Sequence, residues 1–230
     1  MKNEFFFLHV KKCGGTSLRA TLKNYHQLDR KSTHGQFMLY QKKEYNDAIN
    51  NYRINLGSYD NKRMLFVKNY LYTEEEFNSM YKFTIVRNPL DRIVSAYYYL
   101  FNNRKIYLKN KRLFRMKFDF NFFINSLDYI LEHKPDRHLY THIAPFYNDI
   151  TDESGNILLD DVHKIENIDL DFEVVKNKLG LNSDLVFNHK NRSMKNKCML
   201  KKRILNNKNL ATIFLKHYEN DFVYFNYKFQ

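Results

Sequence analysis

The chain is expected to fold as an α/β protein, with a mostly parallel sheet flanked by helices. Three observations lead there. The runs Phe5–Val10 and Tyr81–Val86 are apolar and rich in aromatic or β-branched residues, as buried strands are. Each breaks into a short turn and then at once into a stretch compatible with a helix. Strand-like and helix-like segments then alternate along the chain, the order that builds parallel crossovers with a ligand at the strands' C-terminal edge.

Element by element, Glu4–Val10 reads as a strand and Thr16–Tyr25 as a helix beyond a glycine turn. His34–Asn50 reads as a helix rich in polar groups, and Arg63–Lys68 as a short strand. Thr73–Met80 is a short helix that leads into the strand Tyr81–Val86. Asn88 is a good N-cap and Pro89 suits the first helical position, so the helix Pro89–Asn103 has a well-specified start. Phe118–His133 is read as one helix with Phe122, Phe123, Leu127, Ile130 and Leu131 along one side. Gly155 marks the turn before a strand at Ile157–Ile165; Asp169–Leu179 is a helix ended by Gly180, and Lys208–Asn220 another. Three prolines and six glycines leave little room for a linker, so residues 1–230 are taken as one domain.

The two strand-to-helix turns carry the chemistry. In HVKKCGGTSL (His9–Leu18), Gly14 and Gly15 let an anion approach the backbone where amide groups have no intrahelical partners. Lys12 adds a charge, Lys11 a second one, and Thr16 and Ser17 add hydroxyl donors. The lysine precedes the glycines, unlike GxxxxGK[ST], and no carboxylate stands in the obvious place for magnesium, so a metal-free anion cradle is the reading. In YKFTIVRNPLDRIVSAYYYL (Tyr81–Leu100), Arg87 ends the strand and Ser95 lies about two turns into the next helix, a guanidinium and a hydroxyl suited to a second phosphate. Arg92 is read as a surface ion pair with Asp91 or a structural carboxylate. A ligand with phosphates at both ends fits two such turns.

HVKKCGGTSL resembles the HIPKTGGTSL loop that holds the 5′-phosphosulfate in sulfotransferases using 3′-phosphoadenosine 5′-phosphosulfate (PAPS). FTIVRNPLDRIVSAYYY resembles that family's 3′-phosphate motif, RNPxxRxxSxY. Weaker echoes lie at His163–Phe172, Asn188–Ser193 and Tyr218–Phe229, so the likeness spans nearly the whole chain. It implies a P-loop-like sulfotransferase fold, with Lys12, Gly14, Gly15, Thr16 and Ser17 on the 5′-phosphosulfate and Arg87 and Ser95 on the 3′-phosphate. Lys11 stands where the family has Pro and Cys13 where it has Thr, changes that add charge and remove rigidity without removing a needed group. Arg192, in NHKNRS, is a further candidate against the 3′-phosphate or the adenine. The nearest branch is that of carbohydrate O-sulfotransferases, which implies a hydroxyl-bearing acceptor, an oligo- or polysaccharide, and the product adenosine 3′,5′-bisphosphate.

Sulfuryl transfer to an alcohol needs a base as the new S–O bond forms. His34, in KSTHGQF, is the first choice; Glu44 and Glu75 stay open, with His138 and His142 near an acceptor region at Asp136–Phe146. Lys12 is placed to stabilise the leaving group. Glu166 is read as a loop-stabilising carboxylate, and the tail Tyr218, Phe222, Phe225, Tyr227 as core.

The net charge of +13 favours polyanionic partners, and the clusters at Arg104–Lys117 and Lys195–Arg203 read as solvated faces. Two other classes stay open. A small-molecule kinase would need GK[ST] and a magnesium carboxylate. A nucleic-acid-binding protein would explain the charge, yet no such motif stands out and no nucleic acid is expected as partner. No signal-peptide pattern or membrane-length apolar run is found, and Cys13 and Cys198 form no metal or disulfide pattern, so a cytoplasmic, metal-independent enzyme is expected.

Overall fold

A computed structural model describes residues 5–22, 56, 62–102, 119–189 and 197–230, without the side chains of Arg19 and Lys197. In chain order its elements begin with β1 (Phe5–Leu8), α1 (Gly15–Thr21), α2 (Arg63–Phe66), a π-helical turn (Val67–Leu71), α3 (Glu74–Ser79) and β2 (Tyr81–Val86). There follow α4 (Pro89–Asn102), α5 (Phe120–Asn125), α6 (Leu127–His133), α7 (Arg137–Ile143) and α8 (Tyr147–Ile150). The chain closes with β3 (Asp161–Lys164), a 3-10 turn (Ile165–Asn167), α9 (Ile168–Leu179), α10 (Lys197–Leu205) and α11 (Lys208–Tyr224). Two compact units result, Met1–Arg87 with Asn148–Arg192, and Asn88–Tyr147 with Ser193–Gln230.

The first unit holds a three-stranded sheet in the order β1-β2-β3, with both neighbouring pairs parallel. Phe5 stands opposite Tyr81 and Leu8 opposite Thr84, while Ile85 stands opposite His163. The central strand β2 is buried at every residue, as its run of aromatic and β-branched side chains demands. Phe83 lies 5.2 Å from Phe7 and 5.1 Å from Tyr81 between ring centres. Thr84, fully buried, donates its hydroxyl to the Leu8 carbonyl at 2.7 Å and so ties β2 to the end of β1. Lys82 survives inside the strand because its ammonium reaches the carbonyls of Phe77 (2.9 Å) and Met80 (2.8 Å) and the Asp160 carboxylate (3.1 Å).

Helices flank the sheet, in agreement with the α/β expectation, and the expected helix at Asp169–Leu179 is α9, closed by Gly180 at φ 60°. Three expectations need correction. Arg63–Lys68 is helical: Met64, Val67 and Leu71 are buried at helical spacing, and a short apolar run does not by itself separate strand from helix. The strand expected at Ile157–Ile165 is only β3, because Ile157 makes an isolated bridge to Thr151 and Leu158 bonds back to the Ile150 carbonyl. The single helix expected over Phe118–His133 is broken between α5 and α6. There Ser126 donates its hydroxyl to the Phe122 carbonyl at 2.8 Å, and its amide is shared between the carbonyls of Phe122 and Phe123.

The second unit is helical, with a core built from Leu90, Ile93, Val94, Phe120, Phe123, Leu127, Leu139, Phe214 and Tyr218. Its long helix α11 starts at Asn207, whose side chain accepts the Leu210 amide. Tyr218 donates its hydroxyl to the Ile143 carbonyl, and the buried Asp221 carboxylate accepts the amides of Phe146 and Tyr147. Tyr218, Phe222 and Phe225 are buried, as expected of core packing. The expected helix cap at Asn88 is present: its side chain accepts the Leu90 amide at 3.0 Å. Among the described residues no helix is long and apolar enough to cross a membrane.

Candidate cofactor and catalytic site

The first turn lies between β1 and α1, within the first unit. Lys12 takes φ 68° and Gly14 φ 86°, so the chain turns twice through the left-handed region before the helix begins. A lysine is strained there, a cost usually met at binding loops. The Gly14 carbonyl accepts the amides of Ser17 (2.8 Å) and Leu18 (3.0 Å), closing the turn onto α1. Both glycines are required by space. A Cβ on Gly15 would stand 2.1 Å from Nε2 of His9, and one on Gly14 2.5 Å from Cδ1 of Ile165.

Arg87 ends β2 beside this turn and donates through Nη1 to the Lys12 carbonyl at 3.5 Å, a long bond. Its Nε is buried and has no hydrogen-bond partner among the described residues. Burial first, and then the nearby Arg87 charge, lower the Lys12 ammonium to about 8, with Cys13 acting weakly the other way. Two cations at the ends of adjacent parallel strands, one destabilised by the other and one with an unanswered N–H, form a site that an anion would complete. A nucleotide with anionic groups at both ends fits this residue set: its 5′-phosphosulfate would neutralise the charge around Lys12 and lie against the glycine backbone, and its 3′-phosphate would answer the Arg87 N–H.

The remaining candidates are placed as follows. Lys11 is partly buried, with Nζ 3.3 Å from Nδ1 of His9; Thr16 is exposed and Ser17 buried. Ser95 is half-buried on α4, within the second unit. Glu75 is exposed in the first turn of α3, and Glu166 is exposed in the 3-10 turn. His34, Glu44 and Arg192 lie outside the described residues. His138 and His142 stack on each other on α7 at 4.4 Å, and Tyr99 stacks on His142 at 4.6 Å. The surface placement of Arg92 is corrected: it is buried, with its guanidinium 5.3 Å over the Phe146 ring, while Asp91 pairs with Lys201 at 3.1 Å.

Three residues escaped the sequence reading. His9 is buried under the turn, and Arg63 donates to the His9 carbonyl at 3.3 Å while pairing with Asp149 at 3.0 Å. The pair is almost wholly buried and fixes the end of β1 from below. Arg63 and Asp149 stand 86 positions apart, and no local pattern links them. His9 was visible, as the one polar residue in an apolar run.

Among the described residues no group of three or more His, Cys, Asp or Glu is placed to hold a metal ion. No curated protein and no solved structure matches the chain. The family model described as Sulfotransferase family matches residues 1–228, nearly the full length. That match brings with it sulfuryl transfer to an acceptor, and the family implies PAPS as donor. With the glycine turn, the paired cations and this match together, the chain belongs to the sulfotransferase family.

Proposed function

We propose that this protein moves the sulfuryl group of PAPS to a hydroxyl of a carbohydrate. The observation that supports the reading best is the Lys12–Arg87 arrangement, two cations held together at the anion turn with one guanidinium N–H unanswered. The carbohydrate class follows from the likeness of HVKKCGGTSL and RNPLDRIVSAYYY to the carbohydrate-sulfating branch.

Bound PAPS supplies an activated sulfuryl group on a phosphate leaving group. Lys12 and Lys11, with Gly14, Gly15, Thr16 and Ser17, would hold the 5′ end, while Arg87, Ser95 and Arg192 would hold the 3′-phosphate. The assignment of Ser95 and Arg192 rests on their motif positions. Transfer of the sulfuryl group to the acceptor oxygen, with loss of its bond to the phosphate, would leave negative charge on the bridging phosphate oxygen, to which Lys12 would donate a hydrogen bond. The acceptor's proton passes to a base, for which His34 is the first candidate and Glu44 or Glu75 the alternatives. A neighbouring dianion restores the charge that burial takes from Lys12, so the residue is fully cationic when it is needed.

Transfer from radiolabelled PAPS to a panel of oligosaccharides, simple phenols and aliphatic alcohols tests the reading. Labelled oligosaccharide is expected, lost in His34→Ala while nucleotide affinity stays. Label on phenols alone would replace the acceptor class, and activity retained in His34→Ala would move the base elsewhere.

A further inference from the structure

His9 is only 7% exposed and is held on several sides. Its carbonyl accepts from Arg63, its ring stacks near Phe7 at 6.0 Å, and its Nε2 edge occupies the space beside Gly15. On the opposite edge, Nδ1 lies 3.3 Å from the Lys11 ammonium. An ammonium only donates, so Nδ1 accepts and the ring proton of a neutral imidazole sits on Nε2. One side chain therefore reaches both the glycine that opens α1 and a cation three residues before Gly14.

We propose that His9 is a positioning residue for nucleotide binding: through Nδ1 it sets the Lys11 ammonium, and through its Nε2 edge it backs Gly15, so the turn is formed before the nucleotide arrives. The inference deepens the proposed function and rests on it. Its energetic content is preorganisation. A long, mobile lysine side chain loses rotamer freedom when it engages an anion, and a fixed acceptor removes part of that loss beforehand. His9 then couples to ligand through Lys11, a coupling that simple packing beneath the turn would not produce.

The test is a double-mutant cycle read by calorimetric titration of adenosine 3′,5′-bisphosphate, with thermal midpoints recorded for every variant. His9→Phe keeps the ring's bulk and removes the acceptor; Lys11→Met removes the ammonium. Each single change is expected to weaken binding about three- to tenfold, and the double change little more than either alone. His9→Asn, which can place an oxygen near the Nδ1 position, is expected to recover most of the affinity. Fully additive losses, or unchanged affinity in His9→Phe, would overturn the proposal. Should His9→Phe not fold, His9→Gln completes the same cycle, since its amide reaches the Nε2 position instead. A wild-type protein that fails to bind the bisphosphate would defeat the cofactor reading itself; binding with an additive cycle would defeat only the role of His9.

Discussion

Nucleotide affinity should fall as pH rises through the titration of Lys12. Burial and the Arg87 charge bring this ammonium to about 8 in the free protein, from an ordinary 10.5. At pH 7 about nine-tenths of the free protein therefore carries the charge, and at pH 9 about one-tenth. A bound bisphosphate favours the charged form and raises the group again. Binding above neutrality must then draw a proton from solution, about half a proton per event at pH 8. Between pH 7 and pH 9 the dissociation constant should rise about tenfold, or about 1.4 kcal/mol. The ligand contributes nothing to this slope, because phosphate monoesters complete their second ionisation near pH 6. The sign for folding runs the other way in the free protein. The charge is costly in the folded state, so stability should rise with pH between about 8 and 10.5, where only the unfolded chain stays protonated. Calorimetry at pH 7, 8 and 9, in buffers of different ionisation heat, reads both the affinity and the proton. A flat profile would mean that Lys12 does not titrate against the nucleotide, as would a slope that survives in Lys12→Met.

Arg87→Ala should weaken adenosine 3′,5′-bisphosphate by about 1.5–3 kcal/mol, the worth of a charged hydrogen bond, with little change in ADP affinity; equal losses for both ligands would remove Arg87 from the 3′-phosphate. Gly15→Ala forces a methyl to within 2.1 Å of the His9 ring and should cost about 1–3 kcal/mol in denaturant unfolding, partly recovered in His9→Ala. Asp149→Ala strands the buried Arg63 guanidinium and should cost about 3–5 kcal/mol in the same assay, whereas a loss below about 1 kcal/mol would mean that the pair adds little. His163 sits below its ordinary value chiefly through burial, against the opposing pull of Asp161 and Asp171. Stability should therefore drop as acidification carries the unfolded chain's histidine through about 6.5, and His163→Phe should flatten that drop in pH-dependent thermal melts.

Much of the fold was legible because local chemistry marks its edges. Asn88 and Pro89 declare a helix start, Gly180 a helix end, and Tyr81–Val86 a strand buried on both faces. The anion turn was legible for the same reason, since glycine takes the left-handed conformation at Gly14 without strain and leaves room for the close approach of His9 at Gly15. The misread segments depend on what lies elsewhere in the chain. Arg63–Phe66 became helical with Arg63 anchored on Asp149, and Ser126 divided a periodic stretch through a single hydroxyl. Arg92 looked like a surface cation because its sequence neighbour is Asp91, yet it is buried with its guanidinium over Phe146, far along the chain. His9 shows the same limit: it stands as the one polar residue of an apolar run, but its contacts with Lys11 and Gly15 needed the turn to close.

The most direct test of the central claim is magnesium-free calorimetric titration of the wild-type protein with adenosine 3′,5′-bisphosphate, ADP and AMP at one fixed salt concentration. A sulfotransferase cradle of this kind should bind the 3′,5′-bisphosphate about tenfold or more tighter than either comparator, with the preference removed in Arg87→Ala. Equal affinity for all three, or binding to none of them, would contradict it.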